Sequence, residues 1–251
     1  MEELVAENVT FKYKDSDKYT LHNLSFSINR NEFVTIIAPS GTGKSTLFNL
    51  LLGKLKVQGG AIKFQNDSVI GYMPQRDCLM DWRNIIDNAS IGLEIQGHSK
   101  KEARNITNTY FDEFGLEGTQ KKYPNQLSGG MRQRVSFLRA IVNKPSLLLL
   151  DEPFSSLDSL TRQKMQYWLL NLFQKEASTV FMITHDIDEA IILSDRILIS
   201  KDAPFEKFIS IDVNIKRPRT HDVVFTDEFI KVKRDILKIL NPEFFNGGDS
   251  K

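Results

Sequence analysis

Between residues 2 and 37 apolar and polar positions alternate, as in Leu24-Ser-Phe-Ser-Ile28, and this period of two predicts antiparallel strands. Phe33-Val-Thr-Ile-Ile37 is a compact apolar strand, and Leu47 to Leu52 has the apolar spacing of a helix lying on a sheet. Further strands are predicted near Ala61 to Phe64 and Val69 to Met73. From about Asp77 to Asn143 the period lengthens to that of helices, with apolar faces through Ile85 to Ile95, Ala103 to Phe114 and an amphipathic run from Met131 to Asn143. The four leucines Leu147 to Leu150 and the run Thr179 to Thr184 read as strands buried on both faces, which is the habit of a parallel sheet covered by helices. A strand over Phe208 to Ile215 and a helix over Asp227 to Leu240 follow, and the tail from Asn246 to Lys251 reads as disordered. The pattern predicts an α/β fold with an antiparallel β flank and an inserted α-helical subdomain at about residues 77–143. The main domain is expected over residues 1–200, with 201–245 as a short extension of it.

The candidate chemistry lies at the ends of these elements. Ala38 to Thr46 read APSGTGKST between a strand and a helix, the context in which a Gly-bearing turn cradles phosphates. Ser40, Gly41, Thr42 and Gly43 form the turn, whose glycines let backbone N–H groups face inward without a Cβ in the way. Lys44 reaches the β- and γ-phosphates, Ser45 offers its hydroxyl to Mg²⁺, and Thr46 serves the α-phosphate. Alanine at position 38 adds only a methyl group to the turn. Asp151 ends the leucine strand and is expected to hold the hydration shell of Mg²⁺, which takes few carboxylates. Glu152 follows as candidate general base for an attacking water; alone, Asp-Glu after a core strand reads equally well as a turn. His185 closes the apolar run from Thr179, where side chains at strand C-termini face ligands, and is read as a γ-phosphate sensor that orients the water. His22, His98 and His221 receive no role. Ser128, Gly129 and Gly130 in LSGGMRQR precede an amphipathic run. They make a second anion-favouring helix N-terminus, although Ser-Gly-Gly by itself would read as an ordinary cap.

These segments, five motifs in order over roughly residues 2–200, resemble the nucleotide-binding subunits of ABC transporters, built on a P-loop NTPase core. Ala38 to Ser45 match Walker A, Leu127 to Gln133 the signature, Leu147 to Asp151 Walker B with Glu152 as its catalytic acid, Ser155 to Asp158 the D-loop, and His185 the switch histidine. Gln75, in Tyr72-Met-Pro-Gln75, matches the Q-loop glutamine that touches Mg²⁺ and the water, and Tyr13 matches the aromatic residue that stacks on adenine, with Phe11 close by. The resemblance implies two chains, identical or paralogous, closing head to tail on two ATP, with Ser128 and Gly130 acting on the partner's γ-phosphate and Asp158 coupling the sites. It also implies that membrane-spanning permease subunits dock near Leu79, Met80 and Trp82, and that a solute-binding protein works with them. The alternative is that these three side chains pack inside the helical subdomain. Asp81-Trp82, Asn88, Leu93-Glu94, Gly97, Met131 and Lys216-Arg-Pro-Arg219 resemble the nitrate, sulfonate and taurine importer branch, which includes carriers of thiamine-related pyrimidines.

Composition narrows the classes. A formal net charge of +1 gives no field that would draw nucleic acid. Cys78 is the single cysteine, which excludes an internal disulfide and fits a reducing compartment. No leader is read before the first strand and Leu147 to Leu150 are too few to span a bilayer, so the expected location is the cytoplasmic side of the cell membrane, held there through a partner. The leading expectation is the ATPase of an importer. An exporter subunit or a soluble ABC ATPase is the alternative, and a small-molecule kinase is disfavoured because it must exclude the very water that Glu152 is placed to activate.

Overall fold

The structure is a computed structural model that describes residues 1–39, 41–65, 68–176, 178–201 and 203–244. Ser40 and the tail 246–251 lie outside the described residues. The chain forms two compact units, 1–66 with 179–251, and 67–178.

In the first unit β1 (Glu2–Phe11) lies between β2 (Leu21–Asn29) and β4 (Gly59–Phe64), both antiparallel to it. Alternation in β2 buries Leu21, Leu24 and Ile28, as period-two patterning requires. β3 (Phe33–Ile37) pairs in parallel with β7 (Thr179–Ile183) on one side and β8 (Arg196–Ile199) on the other, and β9 (Ile209–Asp212) closes onto β8 in antiparallel sense. Every residue of β3 and β7 is buried, which is why their sequences are nearly continuous apolar runs. The helix α1 (Lys44–Leu51) buries Leu47, Phe48, Leu50 and Leu51, and the Phe48 and Phe181 rings meet with centroids 5.5 Å apart. The predicted strand over Phe208 to Ile215 is shorter than expected, four residues, because β8 offers pairing only from Arg196 to Ile199.

In the second unit β5 (Ile70–Met73) pairs in parallel with β6 (Leu147–Asp151). Gly71 is required by proximity: a Cβ there would come within 2.7 Å of the Pro145 ring and still nearer the carbonyl of Ala140. The helical stretch differs from its predicted outline. Ile85 to Ile95 is two five-residue helices, α2 (Ile85–Ala89) and α3 (Ile91–Ile95), meeting at Ser90. The next helix, α4 (Lys100–Asn108), starts at the Ser99 cap and gives way to turns before Phe114. Apolar spacing continues through both breaks, so spacing alone did not reveal them. The helices α5 (Gly129–Ile141) and α6 (Ser159–Glu176) complete the unit. Phe114, Phe137, Phe154 and Trp168 pack edge to face, Trp168 lying 4.5 Å from Phe114 and 5.4 Å from Phe137 between centroids. The C-terminal part of the first unit carries α7 (Ile187–Leu193) and α8 (Asp227–Leu240), the latter with its predicted bounds. Among the described residues no helix is long and apolar enough to cross a membrane.

Phe137 is 1 % exposed at the centre of this aromatic cluster. Phe137→Ala is expected to cost about 3–5 kcal/mol in urea unfolding, and a loss below about 1 kcal/mol would show that the cluster does not organise the unit.

Candidate functional site

The first unit holds the phosphate loop. β3 delivers the chain to Ala38 and Pro39, and α1 starts at Lys44 with Gly43 as its cap. Gly41 and Gly43 have φ of +79° and +113°, and a Cβ on Gly43 would stand 2.7 Å from the Thr20 methyl, so glycine is needed there on both counts. The first turn of α1 carries no acidic residue, which leaves the positive end of the helix dipole to an anion. Lys44 is 8 % exposed, and its Nζ donates at 2.8 Å to the carbonyls of both Ala38 and Pro39. Thr42 Oγ1 donates to Pro39 O at 2.8 Å. The loop thus curls around its own lysine, in a cradle of backbone groups that suits a polyphosphate. Ser45 is exposed and Thr46 is buried, with its hydroxyl 3.0 Å from the Tyr13 hydroxyl. Tyr13 is therefore brought to the phosphate loop, braced edge to face by Phe11 at 5.0 Å, with its ring 44 % exposed.

His185 belongs to the same unit. It follows β7, whose Ile183 is registered beside Ile36 of β3, so the histidine emerges at the strand end from which the phosphate loop also springs. Its neighbours are fixed firmly. Thr184 Oγ1 donates to the buried Glu189 carboxylate at 2.7 Å, and Asp186 caps α7 by accepting from the amides of Asp188 and Glu189.

The second unit holds the other predicted residues. Asp151 ends β6 and is 5 % exposed. Burial, reinforced by the Asp151 charge, pushes the phenol of Tyr72 on β5 up to about 12. Glu152 stands at φ +48°, a left-handed conformation that costs a non-glycine residue about 1–3 kcal/mol. Gln75 Nε2 donates to Glu152 Oε2 at 3.1 Å, so the structure joins two residues far apart in sequence. Ser128 caps α5 by accepting from the Met131 amide at 3.3 Å. Gly129 and Gly130 lie inside the first turn of that helix rather than ahead of it, which corrects the predicted boundary: the serine cap lets the helix begin at once. Asp158 accepts from the Thr161 amide at 3.0 Å, and hydrogen bonds from Thr161 hold its carboxyl below the usual carboxylate range.

Two residues of α5 that the motif reading passed over grip the segment after Gln75. Arg132 Nε donates to Asp77 Oδ2 at 2.9 Å, and Arg139 donates at 2.7 Å to the carbonyls of Asp77 and Cys78. Their spacing of seven, which places them on one helix face, was the available signal, but it names no partner. Further on, Asn88 is fully buried; its Oδ1 accepts from the Met80 amide at 2.7 Å, and its Nδ2 donates to the carbonyls of Met80, Arg83 and Asn84. Arg83 Nη2 donates to both carboxylate oxygens of Glu94, at 2.9 and 3.0 Å. This staple leaves Trp82 79 % exposed, with Leu79 and Met80 half-buried beside it.

A family model described as "ABC transporter" matches residues 21–155. The formylaminopyrimidine import ATP-binding protein ThiZ of Halalkalibacterium halodurans is 44 % identical over 242 residues, covering 96 % of this chain and 97 % of that protein. The taurine import ATP-binding protein TauB of Escherichia coli is 37 % identical over 206 residues, 80 % of this chain and 81 % of that one. Among solved structures, the ATP-binding cassette MJ0796, in a dimeric post-hydrolysis state bound to ADP and Pi, superposes with a TM-score of 0.76 at 30 % identity, covering 85 % of this chain and all of that chain.

Lys44→Ala removes the one ammonium that the loop wraps. It is expected to weaken ATP binding about 10- to 100-fold in a fluorescence titration, the worth of one or two charge-assisted hydrogen bonds. Unchanged affinity would remove Lys44 from the phosphate site.

Proposed function

This chain belongs to the ABC transporter family of ATP-binding proteins, and on that premise we propose that it is the ATP-hydrolysing subunit of a membrane importer. The observation that carries the catalytic part is the Gln75–Glu152 contact, made by a glutamate held in a left-handed conformation at the end of a buried strand. The hydrogen bond from Gln75 favours one orientation of the carboxylate. Glu152 takes the proton as that water attacks the γ-phosphate, Gln75 orients the carboxylate and the water, and His185 contacts the γ-phosphate. The phosphate loop, from Ser40 to Thr46, binds the triphosphate with its amides, Lys44 neutralises charge on the β- and γ-oxygens, and Tyr13 stacks on the adenine. The donor types suit Mg²⁺: a hydroxyl from Ser45, an amide oxygen from Gln75 and a carboxylate from Asp151. Ser45, Gln75 and Asp151 would hold Mg²⁺, which when bound would supply positive charge to offset the charge of the triphosphate.

The chain works as a dimer with itself or a paralogue. Ser128, Gly129 and Gly130 present the N-terminus of α5 to the γ-phosphate held by the other copy, and Asp158 couples the two sites. ATP is then the ligand on which two anion-binding surfaces close, and hydrolysis lets them part. Permease subunits receive this motion at Leu79, Met80 and Trp82. Support for that surface comes from the buried Asn88 staple, which holds a large aromatic side chain in solvent a few residues after Gln75. Exposed tryptophan is a common anchor at protein interfaces. A solute-binding protein delivers the cargo, a small solute such as a formylaminopyrimidine or taurine, the two named for the relatives above, and the subunit lies on the cytoplasmic side of the membrane. No contact with nucleic acid enters this reading.

Two outcomes test it. Glu152→Gln is expected to lower turnover about 10²- to 10⁴-fold while ATP still binds, and to accumulate an ATP-locked dimer on size exclusion; near-parental turnover would take Glu152 out of the base role. Affinity purification of the tagged chain from its native membranes in mild detergent is expected to recover a multi-span membrane protein. Trp82→Ala should lose that partner while the purified subunit still hydrolyses ATP. Recovery of ribosomes or of no membrane protein would favour a soluble ATPase, and joint loss of partner and hydrolysis would return Trp82 to a folding role.

A further inference from the structure

The sequence Lys216-Arg-Pro-Arg219 and the helix α8 have no part in the catalysis described above, yet both converge on α7, the short helix that begins two residues after His185. Seven residues are too few for a helix to persist on its own propensity, so α7 depends on what holds its ends. It has no basic residue of its own in the last turn. Instead, two guanidiniums arrive from the chain more than twenty residues downstream. Arg219, 4 % exposed, donates through Nη1 to the carbonyls of Ile191 at 2.8 Å and of Ser194, and Arg217 donates to the carbonyl of Leu193. These are the carbonyls that a helix C-terminus leaves without intrahelical partners. Arg219 is tied on its other edge to the carbonyls of Val213 and Ile215, at 2.9 and 3.0 Å. Arg217 also pairs with Asp195 at 2.9 Å, and the second Asp195 oxygen accepts from the Phe33 amide at 3.0 Å, where β3 sets out towards the phosphate loop.

The other end of α7 is held by α8. Lys233 Nζ lies 2.6 and 2.9 Å from the two oxygens of Asp188, in the first turn of α7 and three residues from His185. Both partners are partly exposed, at 39 and 43 %, so the pair adds little to global stability. Its effect is geometric: it fixes the turn that the His185 backbone enters.

We propose that the C-terminal segment is a brace for the histidine switch, with Arg217 and Arg219 closing the C-terminus of α7 and Lys233 holding its first turn, so that all three are positioning residues for His185 in ATP hydrolysis. The proposal rests on the reading of His185 as the group that contacts the γ-phosphate. It gives the extension after β8 a task in turnover, carried out within one chain. Nucleotide affinity is set by the phosphate loop, and Lys233 is tied to α7 rather than to β3, so loss of that arm of the brace lowers kcat and leaves binding alone.

Lys233→Ala is the variant that tests this, because it removes a half-exposed pair and leaves Arg217 and Arg219 in place. On the full chain, turnover is expected to fall roughly 3- to 30-fold, the usual reach of an indirect coupling, with the Kd for ATP within about twofold of parent. Hydrogen exchange of the α7 amides is expected to quicken, and Lys233→Arg to restore both readouts. In a His185→Ala background the same lysine variant should change turnover less than about twofold, because two residues acting through one group are not additive. Parental turnover and parental exchange in Lys233→Ala would overturn the brace, as would an effect that adds in full to that of His185→Ala. If His185→Ala alone hydrolyses ATP at the parental rate, the histidine reading fails instead. Hydrogen exchange at α7 then decides the brace separately: quickened exchange keeps it as a structural clamp, and unchanged exchange removes it.

Discussion

Burial of β3, β6 and β7 on both faces is the constraint from which the polar apparatus follows. A strand covered on both sides can carry no charge along its length without an uncompensated desolvation cost, so polar residues collect where it ends. β3 ends in the phosphate loop, β6 in Asp151 and Glu152, and β7 in Thr184 and His185. Packing of the leucines and isoleucines thereby fixes where chemistry can occur before any catalytic residue is chosen. The same logic accounts for the loop around Lys44, whose ammonium is satisfied by two backbone carbonyls at the rim of the core.

Precision at those strand ends is maintained by devices of different kinds. Glu152 is held by Gln75, Ser128 by its role as a cap, and the segment after Gln75 by Arg132 and Arg139 from α5. In the last case the Ser128 cap and the two arginines that hold the chain before Trp82 belong to one helix. A change at either place therefore has a short, hydrogen-bonded route to the other within the second unit. The first unit uses the same principle at α7, where a helix too short to stand alone is completed by cations from elsewhere in the chain.

Much of this was legible from the residues. Phe33 to Ile37, Leu147 to Asp151 and Thr179 to Ile183 are strands because their apolar runs are short, dense and followed by polar punctuation, and α8 has its predicted bounds because Thr226 caps it and Asn241 stops it. The two short helices at Ile85 to Ile95 were not legible, since their apolar spacing runs through the break at Ser90. Asn88 and the Lys216 to Arg219 run could be noticed in the sequence as marks of a family branch, but their tasks could not be read there. A buried asparagine or arginine takes its meaning from which carbonyls lie within 3 Å, and those belong to residues brought near only by folding.

What the sequence by itself determined was the buried strands β3, β6 and β7, the helices α1 and α8, and the chemistry their ends can support, because period, glycine placement and capping residues act over a few neighbouring positions. Tertiary structure alone decided which distant side chains meet: Gln75 with Glu152, Arg139 with the carbonyls of Asp77 and Cys78, Arg219 with the end of α7, Lys233 with Asp188. The physical reason is that a hydrogen bond or ion pair is specified by distance and direction, over about 3 Å, whereas local sequence specifies only backbone dihedrals and the faces they expose.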